Sequence, residues 1–200
     1  PGHLTLINTI AWTGFIFWSI LRLASDHGIR NLLLLSLFLS LALLAGNTHN
    51  FFYLMIAAAL YGSFLFVSLA ANGQPKEALA FAGAGAGALI IALGLCAVQI
   101  VPAFEFSRLS ARQHASYEFC STFSFTPESL LTFLMPEFFG NSYHTPYWGR
   151  FSSWEMCAYT GIVPLALACF SFAGIRTDPQ KSSRIFFGFC AVLFLVLALG

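Results

Sequence analysis

The stretch RNLLLLSLFLSLALLAGNTHNFFYLMIAAALYGSFLFVSLAANGQPK runs from Arg30 to Lys76, and residues 31–75 within it contain no Lys, Arg, Asp or Glu. Crossing the roughly 30 Å hydrocarbon layer takes about 20 apolar helical residues. The stretch therefore holds two spans joined by the polar turn Gly46-Asn47-Thr48-His49-Asn50. In lipid each span must be a helix, because exposed backbone amides find no other partner there. The fold class this implies is all-α, a polytopic transmembrane helical bundle.

Composition agrees over the whole chain. Hydrophobic residues make up 58% and charged residues 8%, with 23 Phe in 200 residues, against about 25% charged in soluble proteins. The net charge is +1, and the basic residues form no run of the kind that neutralises nucleic-acid phosphates, so nucleic-acid binding is excluded as a function class. The cysteines Cys96, Cys120, Cys157, Cys169 and Cys190 show no C-x-x-C spacing, and no zinc site is expected. The chain opens Pro1-Gly2-His3 and ends at Gly200 inside an apolar run, which reads as an internal piece of a longer polypeptide whose insertion signal lies upstream.

Charge gaps and turn residues delimit about six apolar segments, near residues 4–23, 31–46, 51–71, 81–103, 158–175 and 185–200. The second is short for a span, so its polar turn is expected to sit below the membrane surface. The division is residues 1–103 with four transmembrane helices, 104–157 as a partly helical loop, and 158–200 with two more helices. Arg22, Arg30, Lys76, Arg176, Lys181 and Arg184 fall in the connections on one side, whereas the other side carries Arg108, Arg112 and Arg150. The positive-inside rule places the first group in the cytoplasm and the loop 104–157 outside it. Phe81-Ala82-Gly83-Ala84-Gly85-Ala86-Gly87-Ala88 opens the fourth segment, and so small a face suits close helix packing in lipid.

The loop is too long and too apolar for a linker and is expected to be folded. Its first part continues the fourth helix and sets Glu105, Arg108 and Arg112 on one face, either to hold a phosphate or as an intrahelical network at the headgroups. Thr126-Pro127-Glu128 reads as a capped helix start, with an apolar helix over 127–135 lying at the interface. Tyr143, Tyr147, Trp148, Trp154 and Tyr159 form an aromatic group that either anchors at the interface or stacks on sugars. Glu118, Glu128, Glu137, Glu155, His114 and His144 supply acids and bases, though no spacing among them selects a pair. A disulfide between Cys120 and Cys157 is sterically open in an oxidising compartment. Asn47, Thr48, His49 and Asn50 form either a satisfied turn or the edge of a ligand cavity.

Ala45-Gly46-Asn47-Thr48-His49, Gln99-Ile100-Val101-Pro102-Ala103-Phe104-Glu105, Leu134-Met135-Pro136-Glu137-Phe138-Phe139-Gly140-Asn141 and Tyr159-Thr160-Gly161-Ile162-Val163-Pro164-Leu165 together resemble the YfhO-type bacterial integral membrane proteins, over nearly the whole chain. The resemblance implies a relative of the GT-C glycosyltransferases, which move a sugar from a polyprenyl-phosphate carrier to an envelope polymer or lipid on the outer face of the cytoplasmic membrane. Those enzymes use an acid in their first outer loop. No Asp of this chain is expected to face outward, so the resemblance places the catalytic acid upstream.

On that implication Arg108 and Arg112 hold the carrier phosphate. Glu137 and Glu155 position a sugar or a divalent cation, and His49 lines the cavity. Asn47, Glu105, Trp154 and Tyr159 complete the substrate-binding set. A transporter or flippase of envelope lipids, or a non-catalytic assembly scaffold, are the other readings. The nearly apolar centres of the segments lower the transporter, which usually carries polar groups near mid-membrane.

Overall fold

A computed structural model describes residues 4–109, 124–141, 145–172 and 181–199, and all its regular elements are helices. Four stretches, Leu4–Ser25, Thr48–Ala71, Pro75–Leu95 and Lys181–Ala198, are long and apolar enough to cross a membrane. The second and fifth expected segments form shorter apolar helices, Ile29–Leu44 and Ile162–Ser171. The chain groups into two units, Pro1–Gln113 and His114–Gly200, so the 104–157 segment is divided between them.

In the first unit, α1 (Leu4–Ala11) and α2 (Thr13–Ser25) run on from each other through Trp12, followed by α3 (Ile29–Leu44), α4 (Thr48–Ala71), α5 (Pro75–Leu95) and α6 (Ala97–Leu109). Capping residues set the boundaries. Asn47 Oδ1 accepts the Asn50 backbone N–H at 3.0 Å and starts α4, satisfying one of the donors a helix start leaves open. At the other end of α4 the N–H groups of Gly73 and Gln74 donate to Ala70 O and Leu69 O. This is a Schellman closure, and Gly73 takes the left-handed φ of +78° that it requires. Pro75 then opens α5 with Glu77 in its first turn, so the fourth span begins six residues earlier than residue 81.

The core is a lipid-type core of small and branched residues. Ile16, Ile20 and Leu23 of α2, Leu35, Leu39 and Ala42 of α3, and Ala78, Phe81, Ala88 and Ala92 of α5 are all buried. The α5 set falls at spacings of three, seven and four, all on one helical face, and α5 packs mainly on α3 and α4, as its small-residue face suggests. Buried hydroxyls are satisfied within their own helices: Thr9 donates to Thr5 O, Ser19 to Ile16 O, Ser36 to Leu33 O and Ser40 to Ser36 O. The outward faces are themselves apolar, with Leu79, Ile90 and Val98 each more than two-thirds exposed. Water would penalise such a surface and lipid would not.

The fourth segment is not one helix over 81–103. α5 stops at Leu95 and α6 resumes at Ala97, and Cys96 between them is fully buried with its thiol against Ser40 O at 3.5 Å. Gln99 Nε2 donates to Leu43 O at 3.3 Å, near the end of α3. The helix breaks where two side chains reach across to carbonyls of α3, while Pro102 is carried inside α6.

The second unit contains a 3₁₀ helix (Pro127–Phe133), α7 (Ser153–Met156), α8 (Ile162–Ser171) and α9 (Lys181–Ala198). The Arg184 guanidinium of α9 donates to Ser171 O at the end of α8. At the far end of α9, the Phe125 N–H donates to the otherwise open Ala198 carbonyl at 2.8 Å. Residues 124–141 and 145–157 carry these short helical elements, the 3₁₀ helix and α7. The helix expected over 127–135 differs from the expectation: it is 3₁₀ rather than α, ends at Phe133 rather than 135, and its Thr126 makes no side-chain cap to the backbone.

Candidate functional site

The 3₁₀ helix repeats every three residues, and Thr126, Ser129 and Thr132 fall on one face at that period. All three are buried. Thr126 Oγ1 and Ser129 Oγ share a hydrogen bond of 2.8 Å, Thr132 Oγ1 donates to Ser129 O at 2.7 Å, and the same hydroxyl accepts the Ala158 N–H at 3.0 Å. Leu130, Leu131 and Leu134 are turned outward. This inverted segment, with hydroxyls inside and leucines outside, fixes where its neighbour Glu128 stands.

Opposite it lies a turn shaped by close backbone approach. Gly140 has φ +86°, and a Cβ there would sit 2.5 Å from Pro146 O. The Trp148 N–H donates to Phe139 O at 3.0 Å, so Trp148 stands edge-on to Phe139 with ring centroids 4.8 Å apart, beside Phe138 at 6.0 Å. The Tyr147 hydroxyl donates to Arg150 O at 2.9 Å. Burial, and the neighbouring Cys157 after it, push that phenol above its ordinary value. Phe151, directly after Arg150, holds φ +58°, a conformation rare outside Gly, Asn and Asp and characteristic of constrained sites.

These pieces enclose a cavity of about 370 Å³ lined by Glu128, Ser129, Phe139, Trp148, Gly149 and Arg150, within the range of about 300–1,000 Å³ typical of small-molecule sites. Arg150 Nε lies 3.1 Å from Glu128 Oε1, joining its two sides. Trp148 presents a face that is 66% exposed. An aromatic face, a carboxylate and a guanidinium around one space suit a polyhydroxylated ring: apolar C–H groups rest on the indole, and hydroxyls find both an acceptor and donors.

The residues singled out from sequence take other places. Glu137 is exposed in the turn before Gly140. Glu155 Oε2 accepts from Ser152 Oγ at 2.6 Å in the first turn of α7, and Tyr159 is 42% exposed. None of these three lines the cavity. Trp154 belongs to α7. In the first unit, Asn47 is occupied as the cap of α4, accepting also from Asn50 Nδ2 at 3.0 Å, and the exposed His49 stands edge-on to Tyr53 at 4.8 Å. Glu105 and Arg108 lie exposed on α6, but Arg108 stacks over Phe104 at 4.6 Å rather than pairing with Glu105. Arg112, Cys120, His114, Glu118, Tyr143 and His144 lie outside the described residues. Cys157 has a free thiol facing Pro136 O at 3.7 Å.

Among the described residues no group of three His, Cys, Asp or Glu comes together that could hold a metal ion. Glu128 was one of six acids and bases without a distinguishing spacing, and Arg150 carried no site reading. The signal that finds them is the hydroxyl period Thr126-x-x-Ser129-x-x-Thr132, which is out of phase with an α-helix. Comparison with protein-family models, characterised proteins and solved structures finds no match to this chain.

Proposed function

We propose that this chain is part of a multi-pass glycosyltransferase of GT-C type that binds a lipid-linked sugar at the outer face of a bacterial cytoplasmic membrane, with six membrane-embedded segments and residues 104–157 outside. The observation that carries the reading is the Glu128–Arg150 cavity with its Trp148 wall. Its indole wall, carboxylate and guanidinium support a sugar ring over a lipid tail as the occupant. The resemblance to YfhO-type proteins points the same way.

In this reading Trp148 stacks on the sugar, Glu128 accepts from its hydroxyls and Arg150 donates to them. The reaction also needs cationic donors at the carrier phosphate, where they stabilise the charge that develops as it departs. The acid or base that activates the acceptor comes from elsewhere in the polypeptide. The acceptor is an envelope polymer or lipid.

The test uses the full-length protein in membrane vesicles with a radiolabelled polyprenyl-phosphate sugar donor. Trp148→Ala and Arg150→Ala are each expected to lower transfer about tenfold, a loss of roughly 1.4 kcal/mol, with abundance and insertion unchanged. Transfer at the native rate in both variants would refute the assignment of this cavity. Movement of the donor across the vesicle without any glycosylated product would favour a flippase instead.

A further inference from the structure

A second cavity, of about 600 Å³, opens between α2 and α3 of the first unit, walled by Gly14, Phe15 and Trp18 on one helix and Arg30, Leu34 and Phe38 on the other. Residues 14, 15 and 18 form a stripe on α2, and residues 30, 34 and 38 recur every fourth position on α3. The two stripes define a groove running about 12 Å from Arg30 to Phe38 at 1.5 Å per residue. Its floor is open at Gly14, where an added Cβ would meet nothing within 4 Å. Its inner end is closed by Phe38, stacked on Trp12 at 6.0 Å and tilted against Phe15 at 5.3 Å. Apart from Arg30, the walls named here are entirely apolar.

The mouth carries two guanidiniums beside one carboxylate. Arg30 is exposed and, among the described residues, makes no ion pair within 4 Å, and Arg22 lies over the Trp18 ring at 5.7 Å. The nearby carboxylate, Asp26, is already committed: Oδ1 accepts the Gly28 N–H at 3.0 Å, and Oδ2 accepts from the buried Asn31 amide at 3.0 Å. Glu77 in turn faces His27 Nδ1 at 3.4 Å. Asp26 and Glu77 are thus each held by other groups, and among the described residues neither guanidinium is tied to a carboxylate. α3 itself spans only about 24 Å over its 16 residues, short of the hydrocarbon thickness of roughly 30 Å. Its Arg30 end therefore lies within reach of headgroup phosphates.

We propose that this groove binds an anionic phospholipid, with an acyl chain between the α2 and α3 stripes and the headgroup phosphate at Arg30 and Arg22. A guanidinium matches phosphate geometry with paired donors, and an apolar slot leading from it selects a lipid over free phosphate. The site is independent of the sugar cavity, which belongs to the other unit.

The test is native mass spectrometry of the full-length protein in detergent, titrated with phosphatidylglycerol or with phosphatidylcholine. Phosphatidylglycerol adducts are expected to survive at about fivefold lower lipid concentration than phosphatidylcholine adducts, and Arg30→Gln to remove that preference, in line with the worth of one basic residue at an anionic surface. Arg30→Lys is expected to keep part of it. Gly14→Leu fills the groove without touching a charge and is expected to lose the phosphatidylglycerol adduct, while inorganic phosphate at millimolar concentration leaves the adduct intact. Equal retention of the two lipids would overturn the proposal, as would adducts unchanged in both Arg30→Gln and Gly14→Leu with helicity preserved. Displacement of the adduct by inorganic phosphate would overturn it too.

Discussion

At the scale of single residues, Thr132 joins more of the second unit than any charged group does. Its buried hydroxyl donates to Ser129 O, lies 3.2 Å from Met156 O and accepts the Ala158 N–H, so one side chain ties the 3₁₀ helix to the segment between α7 and α8. By contrast, the Glu128–Arg150 pair has an Arg side chain 73% exposed, and exposed pairs contribute only about 0–1 kcal/mol. Thr132→Val keeps the shape but strands the Ala158 N–H, which is expected to cost about 1–3 kcal/mol. Thermal unfolding of the full-length protein in detergent measures this, and Thr132→Ser should recover most of the loss. Were Thr132→Val to unfold like the native protein, the hydroxyl ladder would not be what positions Glu128. The ladder was hard to read from sequence because Pro127, Glu128 and the leucines fit an amphipathic α-helix equally well. Only the period of three distinguishes the two, and 3₁₀ runs of seven residues are uncommon.

At the scale of elements, the charge-free stretches announced helices, and their caps placed several ends. Asn47 and Gly73 are where a capping residue should be. The break at Cys96 was not legible, because Gly94 beside it reads equally well as one more small residue of the α5 packing face. It arises from tertiary bonds, Cys96 to Ser40 O and Gln99 to Leu43 O, which no local pattern contains. The small-residue face of α5 was legible, and it allows a sharp contrast within one helix. Ala88 is fully buried on the face toward α3 and α4, whereas Gly83 is exposed and an added Cβ there meets nothing within 4 Å. Ala88→Leu is expected to destabilise by about 1–3 kcal/mol through overpacking. Gly83→Ala should be neutral or gain up to about 1 kcal/mol from helix propensity. Denaturant titration followed by circular dichroism compares them, and equal effects would mean that α5 does not pack through this face.

At the scale of the whole molecule, the arrangement of charge carries the topology. Within the first unit Arg22, Arg30 and Lys76 share the end at which α2 and α4 finish and α3 and α5 begin, as the His27–Glu77 contact of 3.4 Å requires. Asn47 caps α4 at the other end. Such segregation is what the positive-inside rule reads, and it was legible from sequence because it needs only helix order and loop composition. The sugar cavity was not, since Glu128 and Arg150 are 22 positions apart and meet only through the Gly140 turn. The proposed orientation, with that cavity outside, can be tested through Cys157, which is exposed, against the buried Cys96. A membrane-impermeant maleimide applied to intact cells with the outer barrier opened should label the full-length protein carrying Cys120→Ala, and adding Cys157→Ala should remove most of that signal. Cys96→Ala should leave it unchanged, because a thiol with no accessible surface reacts only after unfolding. Cys157 labelling that appears only in inverted vesicles would place the second unit's cavity on the cytosolic side, away from any carrier-linked sugar at the outer face, and the glycosyltransferase proposal would fall with it.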